Sequence, residues 1–399
     1  MMRYKKERRR GLTLVVFAVF SLALLLPENN TICHAFRPTA SPPSSSSSSL
    51  KAVTSTSGLP EFSPYTSISK KSFAATATTS TTRSTTDTSV ELRTYQHDGW
   101  TLKYKYKSAS PGYEKEAPLL LVHPVGIGMS SWFWDEFLEH YQGGPVYAPD
   151  LIGCGIDHGS DAWVPGERGL FFPLSWVQGC ETLLQKIMAE TNNNNNKLPA
   201  IFPFGNNYNN NKKKVTVVTQ GGLAPVGVML AYRNPSTISK LVMTSPPTWQ
   251  DMMTPVPEQE LESNYNFLKS KQGGWAFGAL EKEWAIRFFS NLFLFEGKCD
   301  QKWLDRCSQE CRHKEARPPI QAFNAGLMQH RSYQEELTTL PQETMVVQGQ
   351  DDASRIPLRQ EYETKMKNCQ IITLARGKNV LPWECAKEFA GILQSKKKT

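Results

Sequence analysis

Regular alternation of apolar and polar side chains begins near residue 90. VELRTY and TLKYKYK alternate with period two around His97-Asp98-Gly99, which predicts a β-hairpin closed by a turn dipeptide. PLLLVHP, residues 118–124, is apolar with hardly a break, as a strand covered on both faces would be. In SSWFWDEFLEHY the period changes: Trp132, Phe133, Phe137 and Tyr141 fall near helical spacing. The chain continues with PVYAPDL as strand, SWVQGCETLLQKIMAE as helix, VTVVTQ as strand, GGLAPVGVMLAYR as helix and ISKLVMTS as strand. Such alternation predicts parallel strands joined by crossover helices. Residues 248–341 lack strand signals and are rich in Trp, Phe and helix formers, so they read as a helical cap. ETMVVQGQDD, a helix near IPLRQEYETKM, the strand CQIITLARG and the helix PWECAKEFAGILQSK complete the pattern. The Asn-rich stretch 192–214 is expected to be a disordered surface insertion, because lengthening a loop costs little.

Upstream of residue 90 the pattern is of another kind. MMRYKKERRR precedes the apolar run Gly11 to Pro27, and a basic segment before a short apolar one is the pattern of a secretory signal peptide. The run is shorter than the roughly 20 residues a spanning helix needs, although an uncleaved signal anchor is the alternative. Residues 41–90 hold 27 Ser or Thr and two acids, Glu61 and Asp87. A hydroxyl-rich, acid-poor segment reads as an organellar transit peptide, with a mucin-like stalk or plain linker as the other reading. The expected divisions are therefore a signal peptide or anchor at 1–35 and a disordered, transit-like segment at 36–89. The junction Cys33-His34-Ala35-Phe36-Arg37-Pro38 resembles the cleavage site of bipartite presequences in algae with complex plastids. That resemblance implies a plastid address; the alternative is the secretory pathway or a single-pass, signal-anchored protein.

Charge changes the picture of partners. The formal net charge is +8, but residues 1–90 carry 11 basic and 4 acidic groups, leaving 34 and 33 in the remainder. The body thus lacks the electrostatic footprint of a nucleic-acid binder. A single long apolar run rules out a multi-span membrane protein. Of the 8 cysteines, Cys33 lies in the presequence, and the odd number that remains argues against a disulfide framework in a body of this size. Cys299, Cys307, Cys311 and His313 are spaced unlike any common structural zinc site, so no metal is expected. The glycines from Gly153 to Gly159 are misplaced for a dinucleotide loop, and no cofactor is expected.

Three segments together resemble the α/β-hydrolase superfamily, of the AB hydrolase-1 type: LLLVHPVGIG at 119–128, APDLIGCG at 148–155 and KLVMTSPP at 240–247. The resemblance spans about residues 91–395. It implies an α/β-hydrolase fold, a mostly parallel sheet flanked by helices, with the core at 90–247 and 342–399 and the cap at 248–341, inserted after the sixth strand. It also implies a Ser-His-acid site whose nucleophile stands on a sharp strand-to-helix turn, G-x-S-x-G. Here the turn reads Val218-Thr219-Gln220-Gly221-Gly222, which puts Gln220 at the serine position, and a carboxamide is a poor nucleophile. Gly349-Gln350-Asp351-Asp352 places Asp352 at the acid position, with Asp351 as the alternative. The histidine position offers Asn379, or Lys378 if the turn is shifted, and no histidine follows His330. Loss of nucleophile and base removes two members of a cooperative unit.

Around these positions the resemblance implies an oxyanion loop with Val125 and Gly221, and a structural, hydrogen-bonding His123. Ser130 and Ser131 are expected to cap the next helix. A Lys378–Asp352 charge pair is expected to lock the site. Cys154, Asp157 and His158 form a displaced nucleophilic trio near the pocket, or simply pack their loop. The function expected from all this is non-hydrolytic binding of an apolar small molecule beneath a cap carrying Trp275, Phe277, Trp284, Phe288, Phe289, Phe293 and Phe295. One alternative is an enzyme, a hydrolase, lyase or isomerase, in which Gln220 and Asn379 polarise a carbonyl and Asp352 moves a proton. Another is a protein-interaction scaffold.

Overall fold

The computed structural model describes residues 89–164, 172–193 and 214–394. The presequence, and the Asn-rich insertion apart from its two ends, lie outside the described residues. The strands are β1 (Val90–His97), β2 (Trp100–Lys107), β3 (Leu119–Val122), β4 (Val146–Pro149), β5 (Val215–Gln220), β6 (Ile238–Thr244), β7 (Glu343–Gly349) and β8 (Cys369–Leu374). They form one sheet in the order β1-β2-β4-β3-β5-β6-β7-β8. β1 and β2 pair antiparallel, as do β2 and β4; the pairs from β4-β3 through to β7-β8 are all parallel. Asp98 and Gly99, at φ 45° and 82°, close the hairpin with the left-handed pair that a two-residue turn between twisted strands requires.

Strand periodicity divides the core. Leu120, Val122, Val217 and Met243 pack on one face of the sheet with helices α2 (Leu174–Asn193) and α3 (Ala224–Arg233). Their neighbours Leu121, Val218 and Val242 pack on the other. That second face is covered by α1 (Asp135–His140), α12 (Leu381–Glu384) and α13 (Ala386–Leu393). Every residue of β3 and β5 is buried, as central parallel strands require.

Between β6 and β7 the described chain is helical: α4 (Trp249–Met253), α5 (Glu258–Lys269), α6 (Lys271–Leu280), α7 (Glu283–Phe289), α8 (Gln301–Glu310), α9 (Arg317–Asn324) and α10 (Gln334–Thr339). A π-helical turn, Ser290–Leu294, continues α7. Helix α8 is clamped to the core by three tryptophans. Trp132, Trp303 and Trp383 meet edge to face, with ring centroids 5.3–5.4 Å apart. Each indole N–H has an acceptor: Gly128 O, Ser290 Oγ and Asp300 Oδ2 respectively. After β7, helix α11 (Ile356–Lys365) leads to β8.

The expected helix over residues 130–141 is only partly α-helical; Ser131–Trp134 form a 3₁₀ turn before α1. The expected cap by serine side chains is also absent. The hydroxyls of Ser130 and Ser131 are buried without a partner among the described residues, and Asp150 Oδ1 takes the Ser131 amide at 2.9 Å. The Phe133 amide, which a Ser130 hydroxyl would cap, donates instead to the Ser130 carbonyl at 3.1 Å.

Candidate active site

Parallel strands deliver their C-terminal loops to one edge of a sheet, which is where an open α/β sheet places its site. Here the loops after β3, β5, β6, β7 and β8 converge under the cap. The turn after β5 is the sharpest feature. Gln220 still has extended backbone, φ −110° and ψ 130°, whereas Gly221 has φ +57° and opens the 3₁₀ turn Gly221–Leu223 before α3. A left-handed residue between strand and helix favours glycine. A Cβ built on Gly221 would meet nothing within 4 Å, while one on Gly222 would run into the Phe323 ring of the cap at 2.6 Å. The residue that faces open space is therefore Gly221.

Gln220 points sideways instead. Its side chain is buried, its Nε2 donates to Asn379 O at 2.7 Å, and its Oε1 accepts from Thr244 Oγ1. Both ends of the amide are used to tie the end of β5 to β6 and to the loop after β8. Asn379, one of the two residues expected at the histidine position, is thus brought to Gln220, but through its backbone carbonyl; its backbone amide donates to Leu294 O at 3.0 Å.

Asp352 is elsewhere engaged. Its Oδ2 accepts from Arg359 Nη1 at 2.6 Å, both side chains are buried, and Arg359 Nε reaches Pro246 O at 2.7 Å. Burial pulls the Arg359 guanidinium below its ordinary value, against the opposing charge of Asp352. The expected Lys378–Asp352 pair does not form: Lys378 Nζ donates to Leu292 O at 2.6 Å, and its own amide goes to Glu384 Oε2 at 3.0 Å. Asp352 precedes α11, and Arg359 stands in the first turn of that helix, which carries its guanidinium to the carboxylate seven residues earlier. Asp351 is exposed at the surface.

Two adjoining cavities lie between these loops and the cap. The first, about 200 Å³, is apolar and bounded by Val125, Met129, Ile286, Phe289 and Trp303 among others. The second, about 150 Å³, rests on Gly221, Gly222, Ser245, Tyr333, Arg355 and Asn379. Phe293, Leu294, Phe323 and Asn324 line both. Of the expected oxyanion pair, Val125 lines the first cavity and Gly221 the second. Gln220 and Asp352 line neither.

His123, Cys154 and His158 also stay out of both cavities. His123 Nε2 accepts from the Leu151 amide at 3.1 Å, so Nδ1 carries the proton and donates to Pro124 O at 2.7 Å. Burial lowers its pKa, in keeping with a neutral ring that bolts the β3 loop to the β4 loop. The displaced trio is not assembled. His158 Nδ1 bonds Asp150 Oδ2 at 3.2 Å, and Asp157 bonds Gln309. The Cys154 thiol is buried, which pushes its pKa well up and leaves it inert. Burial works against the His158 imidazolium, but its hydrogen bond to Asp150 prevails and raises its pKa. Among the described residues no group of three His, Cys, Asp or Glu side chains is placed to hold a metal ion.

Three residues with a part in the site carry no sequence signal of their own: Arg359, Phe323 over Gly222, and Glu310. Glu310 Oε1 accepts the Ile156 amide at 2.9 Å, joining α8 to the β4 loop. Burial, with the charge of Asp150 behind it, raises its carboxyl to about 7.

The model of the alpha/beta hydrolase family matches residues 119–392, and the chain belongs to that family. None of the curated proteins matches it. Solved structures similar to it include a serine hydrolase involved in carbazole degradation, the CarC enzyme: 13% identity, 76% of this chain and 97% of that one, TM-score 0.53. A thermophilic esterase from Thermogutta terrifontis has 14% identity over 76% of this chain and 96% of its own, TM-score 0.51. The haloalkane dehalogenase DbeA-M1 loop variant from Bradyrhizobium elkanii has 16% identity over 76% and 96%, TM-score 0.52. At such identities the likeness is one of fold.

Proposed function

We propose that the protein holds an apolar small molecule between core and cap without hydrolysing it. The observation that carries this reading is Gly221. The family's nucleophile belongs on the strained residue of the strand-to-helix turn, and here the residue with positive φ is a glycine with open space above it. Gln220, one place earlier, is tied by both ends of its amide. Whichever of the two is matched to the serine, neither a hydrogen nor a carboxamide can attack a carbonyl. The loop after β8 offers Lys378 and Asn379 in place of an imidazole, so that loop supplies no histidine base opposite the turn. Apolar walls in the first cavity suit a hydrocarbon or aromatic body, and Ser245, Tyr333 and Asn379 in the second suit a polar end.

A second reading, residual chemistry, rests on Ser245, which lines the second cavity at φ +42°, an uncommon conformation for a residue with a side chain. Among the described residues its Oγ donates to Lys378 O, at 3.4 Å. A fluorophosphonate probe separates the two. The wild-type chain is expected to remain unlabelled, and native mass spectrometry of freshly purified protein is expected to show one bound apolar molecule per chain. Labelling that disappears in Ser245→Ala would overturn the binding-only reading.

A further inference from the structure

The loop after β4, residues 150–160, is the seat on which the cap turns its corner between α8 and α9. Glu310, the last residue of α8, is buried, and its Oε1 accepts the Ile156 amide at 2.9 Å. Asp150, at the start of the loop, is fully buried; its Oδ2 accepts from Ser160 Oγ and bonds His158 Nδ1, each at 3.2 Å. One residue before Glu310, Gln309 Nε2 donates to Asp157 Oδ2 at 2.5 Å, and three residues after it His313 Nε2 lies 3.5 Å from Asp157 Oδ1. The start of α9 rests on the same loop, since a Cβ built on Gly153 would come within 3.3 Å of the Pro319 ring. Phe323 and Asn324, at the end of α9, line both cavities. The loop after β4 therefore holds down a segment that roofs them.

Charge in this seat depends on two protons. Burial works against the Asp150 carboxylate, but its hydrogen bonds with His158 and the Ser131 amide prevail and lower its pKa, so it stays ionised. With Glu310 protonated and His158 charged, Asp150, His158 and Glu310 sum to zero; with both protons gone they carry −2. Cations around the seat are engaged: Lys105 and Arg306 with Asp135, Arg317 with Glu281, Lys103 with Thr94 Oγ1. Arg312 and Lys314 are exposed, and Cys154 and Cys311 keep their protons because burial raises both thiols. A second buried anion beside Asp150 is relieved when the segment lifts and water reaches it.

We propose that Glu310, His158 and Asp150 form a proton-operated latch between cap and core. Protonated, it holds the corner between α8 and α9 on the β4 loop; as the two protons leave, it releases that corner and with it Phe323 over Gly222. The three-tryptophan cluster around Trp303 keeps the start of α8 in place, so the motion is confined to the end of α8 and to α9. Nothing in this motion requires a ligand, so it stands apart from what the cavities hold.

The test is hydrogen–deuterium exchange of the full chain between pH 5 and pH 8, followed by mass spectrometry on peptides from α9 and β5 and corrected for the intrinsic pH dependence of amide exchange. Glu310 holds its proton up to about pH 7 in the closed chain but only to about 4.5 once exposed, so the opening constant of α9 is expected to rise roughly 50-fold across that range. His158, whose pKa is raised in the closed chain by its hydrogen bond to Asp150 against the effect of burial, acts in the same direction. Peptides of β5 report unfolding of the whole chain, and α9 should be less protected than β5 at every pH. Glu310→Gln should lose most of the rise. Protection of α9 equal to that of β5 overturns the proposal, because the corner would then open only when everything unfolds. So does a full rise retained in Glu310→Gln. Should that variant fail to fold, a wild-type profile flat in pH overturns it alone.

Discussion

Two neighbouring cap helices carry aromatic clusters of similar chemistry and opposite burial. On α8, Trp303 is fully buried against Trp132 and Trp383. On α7, Trp284 and Phe288 are exposed to 63% and 56%. The difference is one of partners. Trp303 has ring edges from two other elements and a hydroxyl, Ser290 Oγ, for its N–H at 3.0 Å, which is what an amphipathic ring needs to leave water. Beyond the outer face of α7 there is no further chain among the described residues. Aromatic content in a cap sequence therefore does not separate a clamp from an exposed face.

The sharpest way to break the comparison is Trp303→Ala. Emptying the centre of the three-tryptophan cluster should cost about 3–5 kcal/mol of unfolding free energy, read from urea melts. A loss below roughly 1 kcal/mol, the typical cost of an ordinary substitution, would mean that α8 is not clamped to the core.

The same helix gives a smaller, pH-dependent effect. Glu310 has a folded pKa of about 7 against an ordinary value of 4.5, so between those two the folded chain holds a proton that the unfolded chain has released. The stability it adds is complete below about pH 4.5 and is lost as pH rises through about 7. The groups facing it are Asp150, Asp157 and His158. Glu310→Gln stays neutral throughout. Urea melts should find it no more stable than wild type near pH 4.5 and more stable, by on the order of 2–3 kcal/mol, at pH 8. A constant difference between the two pH values would contradict this.

The smallest effect belongs to the exposed cluster. Trp284→Glu with Phe288→Glu should change unfolding free energy by no more than about 0.5 kcal/mol, as surface substitutions do. A loss as large as that of Trp303→Ala would show that this cluster is core and would sharpen the comparison into a correction.

Much of the fold was legible, because period and composition act locally. VTVVTQ could only be a strand buried on both faces, and Asp98-Gly99 marked its hairpin by the left-handed backbone it allows. The site was legible in part. That the turn after β5 and the loop after β8 lack serine and histidine can be read from residue types alone. Which residue stands on the turn could not be read, because Gln220 and Gly221 are adjacent and only backbone angles tell them apart. Asp352 likewise looked available to Lys378, whereas the guanidinium of Arg359, aligned by α11, is its partner at 2.6 Å.

The sequence by itself determined the strand-helix order, the family resemblance and the residue types at each loop, since these depend on side-chain period and chemical identity along the chain. Only the tertiary structure decided which groups meet: Gln220 with Asn379, Asp352 with Arg359, Glu310 with the β4 loop, and Trp303 rather than Trp284 with the core. Except for Asp352 and Arg359, which are seven positions apart, these contacts join residues more than a hundred positions apart, and no pattern along the chain records which of two similar side chains will find its partner first.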